Sequence, residues 1–267
     1  MTALKRTALL LQGRQIELEY EWITAQRADA PLIVFLHEGL GAAAVWGDWP
    51  TVLCRATGCR GLVYSRYGYG SSTPRPPGEP WPIDYLGHEA REALPALLDA
   101  LGVDAARDQP ILFGHSDGGS IALQYAAAFP QAVRAIVVVA AHLFTEEMGS
   151  GRIRWMQHRY ANSALRSNLA AVHDCPDDVF RGWSELWLSE RFRDWNIERC
   201  VPMIQCPVLA VQGAEDQYGT LDQLDQIARL ARNATRVVLE RCGHFPHSEQ
   251  PAALAAAVKT FLEKEIS

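Results

Sequence analysis

The stretch Ile111-Leu112-Phe113-Gly114-His115-Ser116-Asp117-Gly118-Gly119 decides how this chain is read. Three consecutive apolar residues end at a glycine-flanked serine, and a run of small residues, Gly118–Phe129, follows at once. This is the G-x-S-x-G pattern in the context that gives it meaning: buried strand, sharp turn, helix pressed on the sheet. Glycines flank the serine because such a turn strains the backbone and brings chains too close for a Cβ. The serine Oγ is thereby held at a helix N-terminus, where free N–H groups and the helix dipole favour developing negative charge.

Outward from that turn the chain alternates. Leu32–Leu36, Gly61–Tyr64, Ile111–Phe113, Ile136–Val139 and Val208–Val211 are apolar runs without period-two alternation, as expected of strands buried on both faces of a parallel sheet. Glu89–Leu101, with Leu94, Leu97, Leu98 and Leu101 on one face and a kink expected at Pro95, reads as helix, as do Leu221–Ala231 and Pro251–Glu263. The opening segment differs. Ala8–Gln12 and Gln15–Ile23 form a hairpin around Gly13-Arg14, and Ile16, Leu18, Tyr20 and Trp22 alternate with Glu17, Glu19 and Glu21, which predicts one wet face. The fold class is α/β, a mostly parallel sheet with an N-terminal antiparallel hairpin. Residues 143–203 interrupt the alternation with helical sequence and hold Trp155, Trp183, Trp187 and Trp195. An insertion of that length needs structure of its own. It is read as a helical cap over the C-terminal edge of the sheet, between core segments 1–142 and 204–267.

A serine needs a base. Val208–Val211 runs into Gly213-Ala214-Glu215-Asp216, and Thr235–Glu240 into Arg241-Cys242-Gly243-His244. The order Ser116, Asp216, His244 is nucleophile, acid, histidine, each at a separate strand end. Asp216 is preferred to Glu215 on register. The Asp117 N–H and one from His37-Glu38-Gly39-Leu40-Gly41, with Gly39 preferred to Leu40, are the candidate oxyanion donors.

Taken together, these motifs and the turn Tyr67-Gly68-Tyr69-Gly70-Ser71-Ser72 resemble the α/β-hydrolase superfamily over nearly the whole chain. The resemblance implies hydrolysis through an acyl-enzyme, a small-molecule substrate bound between core and cap, and no cofactor. Ser116-Asp117-Gly118-Gly119 with the cap is similar to the valacyclovirase-like (biphenyl hydrolase-like) group, where the acid after the nucleophile binds a substrate amine. Two departures stand out: Glu38 occupies a usual glycine position, and Ser65-Arg66-Tyr67-Gly68 places its arginine one residue early relative to the common Asp-x-Arg-Gly.

Several candidate substrate contacts have two readings. Asp117 either recognises an ammonium group or is a helix-N-terminal acid paired with arginine. Glu38 lines the pocket or binds amides of its own loop. His142 can touch substrate. Trp183 and Trp187, at i and i+4, form an aromatic wall or a helix core face. Tyr218 follows Asp216 closely enough to reach the pocket. His37 and His115 are expected to be structural, and His247 to lie in a loop.

Composition narrows the rest. Of 267 residues 48% are hydrophobic, and 25 Lys+Arg against 31 Asp+Glu give a net charge of −6. Nucleic acid is an unfavourable partner for such a surface. Cys54, Cys59, Cys175, Cys200, Cys206 and Cys242 lack zinc or disulfide-framework spacing, so reduced thiols and no metal are expected. No run approaches the ~18 apolar residues of a membrane span, and the N-terminus lacks signal-peptide features. A cytoplasmic, membrane-free protein is expected, with room for a homodimer. The function expected is cleavage of a small carboxylic ester, including an aminoacyl ester, a lactone or an activated amide through an acyl-enzyme on Ser116. The same triad serves C–C bond hydrolysis of ring-fission products. A cofactor-free oxygenase and a ligand-binding receptor are the readings from other classes.

Overall fold

The structure is a computed structural model that describes residues 4–27 and 29–266; the terminal positions 1–3 and 267 of the expected core segments lie outside them. Among the described residues one sheet of eight strands is present: β1 (Lys5–Leu11), β2 (Arg14–Ile23), β3 (Leu32–Leu36), β4 (Arg60–Tyr64), β5 (Ile111–His115), β6 (Ala135–Val139), β7 (Val208–Gly213) and β8 (Ala234–Leu239). Their order across the sheet is β1-β2-β4-β3-β5-β6-β7-β8. The pairs β1–β2 and β2–β4 are antiparallel and all others parallel.

The absence of alternation in the central strands has its expected cause. Leu32, Val34, Leu36, Leu112, Ile136, Val138, Val208 and Ala210 join the core on one face of the sheet. Ile33, Phe35, Ile111, Phe113, Val137, Val139, Leu209 and Val211 join the core on the other. Both faces are covered by helices. The helices are α1 (Trp49–Thr57), α2 (Tyr85–His88), α3 (Leu94–Ala100), α4 (Ala105–Asp108), α5 (Asp117–Ala128), α6 (Glu147–Arg159), α7 (Ala164–Ala170), α8 (Pro176–Trp187), α9 (Leu221–Leu230), α10 (Pro246–Glu249) and α11 (Pro251–Glu265). α5 packs on β5 and β6, and α1 packs on α11.

Four expectations need adjustment. The hairpin turn is Gln12-Gly13, since Leu11 pairs with Arg14, and both turn residues have positive φ (50° and 77°). That is the twist-matched two-residue turn, with Gln12 held in the left-handed region that Gly, Asn or Asp usually fill. The outer face of β2 is not wholly wet: Glu19 is buried because the Ser65 hydroxyl donates to its Oε1 at 2.5 Å. The helix expected over Glu89–Leu101 is not a uniform α-helix ahead of Pro95. A wide π-helical turn, Glu89–Ala93, runs directly into α3, with the Leu94 N–H bonded to the Glu89 carbonyl, and Pro95 follows as the second residue of α3. His247 lies on α10 and is buried, not in a loop.

Residues 143–203 contain α6, α7, α8 and short 3₁₀ turns, with a single isolated bridge, Phe144 to Asn196, in place of any strand. α8 starts at a proline with Asp177 and Asp178 in its first turn, a favourable pairing with the helix dipole. Its inner face carries Val179, Phe180, Trp183 and Trp187, all buried. Trp195 stacks on Phe192 at 5.2 Å, whereas Trp155 is 46% exposed and belongs to no core.

The central sheet makes a stability prediction. Phe113 is fully enclosed and touches Phe35, Trp46 and Trp49 with ring centroids 5.5, 5.8 and 6.3 Å away. Phe113→Ala is expected to cost about 3–5 kcal/mol, while Leu10→Ala, at a side chain 69% exposed, stays within about 0.5 kcal/mol. Urea unfolding of the two variants checks the contrast.

Candidate active site

Ser116 lies between β5 and α5 with φ +52° and ψ −116°. For a non-glycine residue this is strained backbone, of the kind stored at functional sites. The neighbours hold it there. The Ser116 N–H donates to the Val139 carbonyl at 2.8 Å, and its own carbonyl accepts from Gly119 and Ser120 at 2.8 and 3.1 Å. The flanking glycines are required by contact: a Cβ on Gly114 would fall 2.1 Å from the Gly118 carbonyl oxygen, and one on Gly118 would fall 1.9 Å from that of Leu36. The Asp117 N–H belongs to the first helical turn, whose N–H groups have no intrahelical acceptor.

Asp216 and His244 meet although they come from different strand ends. His244 Nδ1 lies 2.8 and 2.9 Å from the two carboxylate oxygens of Asp216, and both side chains are almost wholly buried. A carboxylate can only accept, so Nδ1 carries the proton and Nε2 keeps a lone pair. The Tyr218 N–H donates to Asp216 Oδ1 at 2.8 Å. Burial pushes the Asp216 carboxyl up, but the hydrogen bond and charge of His244 outweigh it and hold it below its ordinary value. Glu215 is exposed. The imidazole is packed among four rings: Tyr218 at 4.5 Å, His115 at 5.1 Å, Phe245 edge-on at 5.3 Å and His142 at 6.0 Å with its plane inclined by 29°.

Ser116 and His244 border one cavity of about 450 Å³, together with Glu38, Gly39, Leu40, Asp117, His142, Trp183, Trp187 and Tyr218. Its walls are otherwise mostly apolar, from Val45, Ile153, Met156, Leu165, Leu169, Val172 and Phe245. Every sequence-derived site residue therefore borders this cavity or, for Asp216, holds a residue that does. Trp183 and Trp187 satisfy both readings at once, being core side chains of α8 and cavity wall. Among the described residues no Arg or Lys borders the space.

The two carboxylates flanking Ser116 have partners inside the protein. Asp117 Oδ2 accepts the Tyr85 hydroxyl at 2.6 Å and lies 3.6 Å from the Arg66 guanidinium, both ionic side chains being 2% exposed. Burial raises the Asp117 carboxyl above its ordinary value, against the pull of Arg66 and Tyr85. The Glu38 carboxylate lies 3.7 Å from His115 Nδ1. Burial acts to raise it, but the contact with His115 prevails and holds it down at about 2. His115 Nε2 in turn donates to the His244 carbonyl at 2.7 Å.

The loop after β3 is gripped through its carbonyl oxygens, by residues that sequence reading did not single out for that purpose. The Arg66 N–H donates to His37 Nε2 at 3.1 Å, so His37 carries its proton on Nδ1 and gives it to the Glu38 carbonyl at 2.8 Å. Arg66 also donates to the Glu38 carbonyl at 2.8 Å. That carbonyl shares a planar trans peptide with the Gly39 N–H, which must therefore point the opposite way. His173, from the helical segment, accepts from the Gly70 N–H and donates to the Leu40 carbonyl, both at 2.9 Å. Burial, reinforced by Arg66, holds the His37 ring well below its ordinary pKa and keeps it neutral.

Buried neutral histidines dictate a pH response. Burial first, and then neighbouring histidines, push His142 down to about 4 and His247 to about 3. In the unfolded chain each titrates near ~6.5, so the unfolded state binds more protons below that pH and stability falls as pH falls. Each histidine contributes up to about 1.4 kcal/mol per pH unit. The urea midpoint is expected to drop between pH 7 and pH 5, and His247→Phe is expected to flatten that drop. A midpoint that holds or rises on acidification would contradict it.

Comparison with known proteins agrees with the fold. Residues 33–257 match the model of the alpha/beta hydrolase family. "Putative carbamate hydrolase RutD" of Pseudomonas savastanoi pv. phaseolicola is 27% identical over 90% of this chain and 96% of its own length. Serine hydrolase BPHL of Homo sapiens is 30% identical over 58% of this chain and 53% of its own length. An esterase from Thermogutta terrifontis superimposes with a TM-score of 0.77 over the whole of both chains at 17% identity, a likeness of fold. The chain belongs to the alpha/beta hydrolase family.

Proposed function

We propose that this chain is a serine hydrolase that cleaves uncharged carboxylic esters with an apolar acyl group. The observation that carries the reading is His244, held through Nδ1 by both oxygens of Asp216 in a cavity that it shares with Ser116. His244 Nε2 takes the Ser116 Oγ–H proton as Oγ attacks the ester carbonyl. The tetrahedral oxyanion is held by the N–H groups of Gly39 and Asp117, each worth on the order of 3 kcal/mol. Collapse expels the alcohol, which leaves with the proton from His244. Water then attacks the acyl-enzyme by the same route and releases the acid. Asp216 fixes the imidazole tautomer and stabilises the imidazolium. The segment 143–203 acts as the cap that supplies the apolar wall.

The charge pattern supports this substrate class. Glu38 and Glu146 border the cavity with no Arg or Lys beside them among the described residues, an unfavourable setting for anionic ring-fission products. A protein named 2-hydroxy-6-oxo-2,4-heptadienoate hydrolase, from Pseudomonas putida, is 25% identical over 89% of this chain, so C–C cleavage is the comparison the assay must include. The Asp117 carboxylate, occupied by Tyr85 and Arg66, is read as structural. The Glu146 carboxylate is likewise taken up by the Thr220 N–H and hydroxyl and by Gln223.

Nitrophenyl esters of phenylpropionate and of phenylalanine differ only in the amine. The des-amino ester is expected to have equal or higher kcat/KM. A tenfold preference for the amine, about 1.4 kcal/mol, would show instead that a cavity carboxylate recognises it. Ser116→Ala is expected to remove turnover by at least about a thousandfold. A Ser116→Ala variant that keeps its activity would favour an oxygenase-type use of His244, and a wild-type protein that binds esters without turnover would favour a receptor.

A further inference from the structure

Trp187, Tyr85 and Asp117 form a single hydrogen-bonded chain between the helical segment and the residue that follows the reactive serine. The Trp187 indole N–H, which can only donate, gives its proton to the Tyr85 hydroxyl oxygen at 2.8 Å. The Tyr85 proton is then committed to Asp117 Oδ2 at 2.6 Å. All three side chains are buried. The three residues come from α8, α2 and the first turn of α5, elements far apart in sequence. Trp187 also borders the cavity and packs edge-on against His142 at 5.4 Å, with Phe192 and Trp195 behind it at 4.9 and 5.8 Å.

We propose that Tyr85 is a positioning residue that ties the orientation of the Asp117 N–H to the seating of Trp187, so that the acyl group lodged against α8 influences transition-state stabilisation. The proposal rests on the serine-hydrolase reading above. Physically, the Asp117 side chain and N–H belong to one residue at the start of a helix. A pull on the carboxylate through Tyr85 turns the peptide that faces the oxyanion. The Arg66 guanidinium lies 3.6 Å from that same oxygen, Oδ2, so the cation and the Tyr85 hydroxyl fix the Asp117 carboxylate at one point. An acyl group that displaces the indole would break the chain at its first link and lower kcat without weakening ground-state binding.

The test uses the full-length protein with Tyr85→Phe, Trp187→Phe and the double variant. Tyr160→Phe serves as control, because its hydroxyl bonds Asp177 within the helical segment, away from the cavity. Tyr85→Phe is expected to lower kcat about tenfold, the factor that about 1.4 kcal/mol of lost stabilisation gives, with KM within twofold. The double variant should fall no further than the worse single variant, and Tyr160→Phe should match wild type. Effects that multiply in the double variant, or an unchanged kcat in Tyr85→Phe, would overturn the proposal. A second readout needs no turnover. The Trp187 indole N–H resonance is expected to move on Asp117→Asn in wild-type background and to stay in place on the same change in Tyr85→Phe. A resonance that ignores Asp117 would overturn the chain itself. Absence of Ser116-dependent turnover in the wild type would instead count against the hydrolase reading.

Discussion

Backbone pressed against backbone at Gly118 is the contact on which the site depends. A Cβ there would sit 1.9 Å from the Leu36 carbonyl oxygen and 2.9 Å from that of His37. Only a glycine lets the first turn of α5 come this close to the end of β3. The result places the Asp117 N–H beside the loop that carries Gly39, although the two are 78 residues apart in sequence by their numbering. The same closeness forces the strand-to-helix turn to be sharp, which is why Ser116 is held at φ +52°. Strain at one residue and small side chains at its neighbours are two consequences of a single packing requirement.

That closeness sets positions, and a buried cation sets orientations. Arg66 is buried, and its hydrogen bonds go to the Glu38 carbonyl and His37, its charge to Asp117, and its flat face to Tyr69 at 4.5 Å. Removing it would leave the Asp117 carboxylate uncompensated in a low-dielectric interior, a costly state. Its place one residue before the usual position is therefore compatible with gripping the loop. Glu38, in place of a glycine, finds a partner in His115, and Gly41 makes room for its carboxylate, since a Cβ there would lie 2.3 Å from Oε2.

The parts of the molecule legible in the sequence are those governed by local pattern. Leu32–Leu36 reads as a two-faced buried strand because both of its faces are in fact covered, and Ser116, Asp216 and His244 are legible because each ends a strand that announces itself. What was not legible depends on contacts between distant residues. Nothing near Glu19 in the chain signals that Ser65 will bury it, nothing near His173 signals that its ring will bridge Leu40 and Gly70, and Tyr85 has no local mark distinguishing it from other core tyrosines. The hairpin turn was displaced by one residue because Gln12, which gives no glycine-like signal, occupies the left-handed region. Trp183 and Trp187 show a different limit: periodicity cannot separate core from cavity wall when one helix face serves as both.

Covalent capture tests the central claim most directly. A fluorophosphonate ester reacts with a serine only when a base removes its proton and an oxyanion site receives the phosphoryl oxygen, so it reads the whole arrangement at once. One adduct per chain is predicted, on the peptide that contains Ser116, absent in Ser116→Ala and slowed by about a hundredfold or more in His244→Ala. An unlabelled wild-type chain, or an adduct on a different residue, would contradict the account.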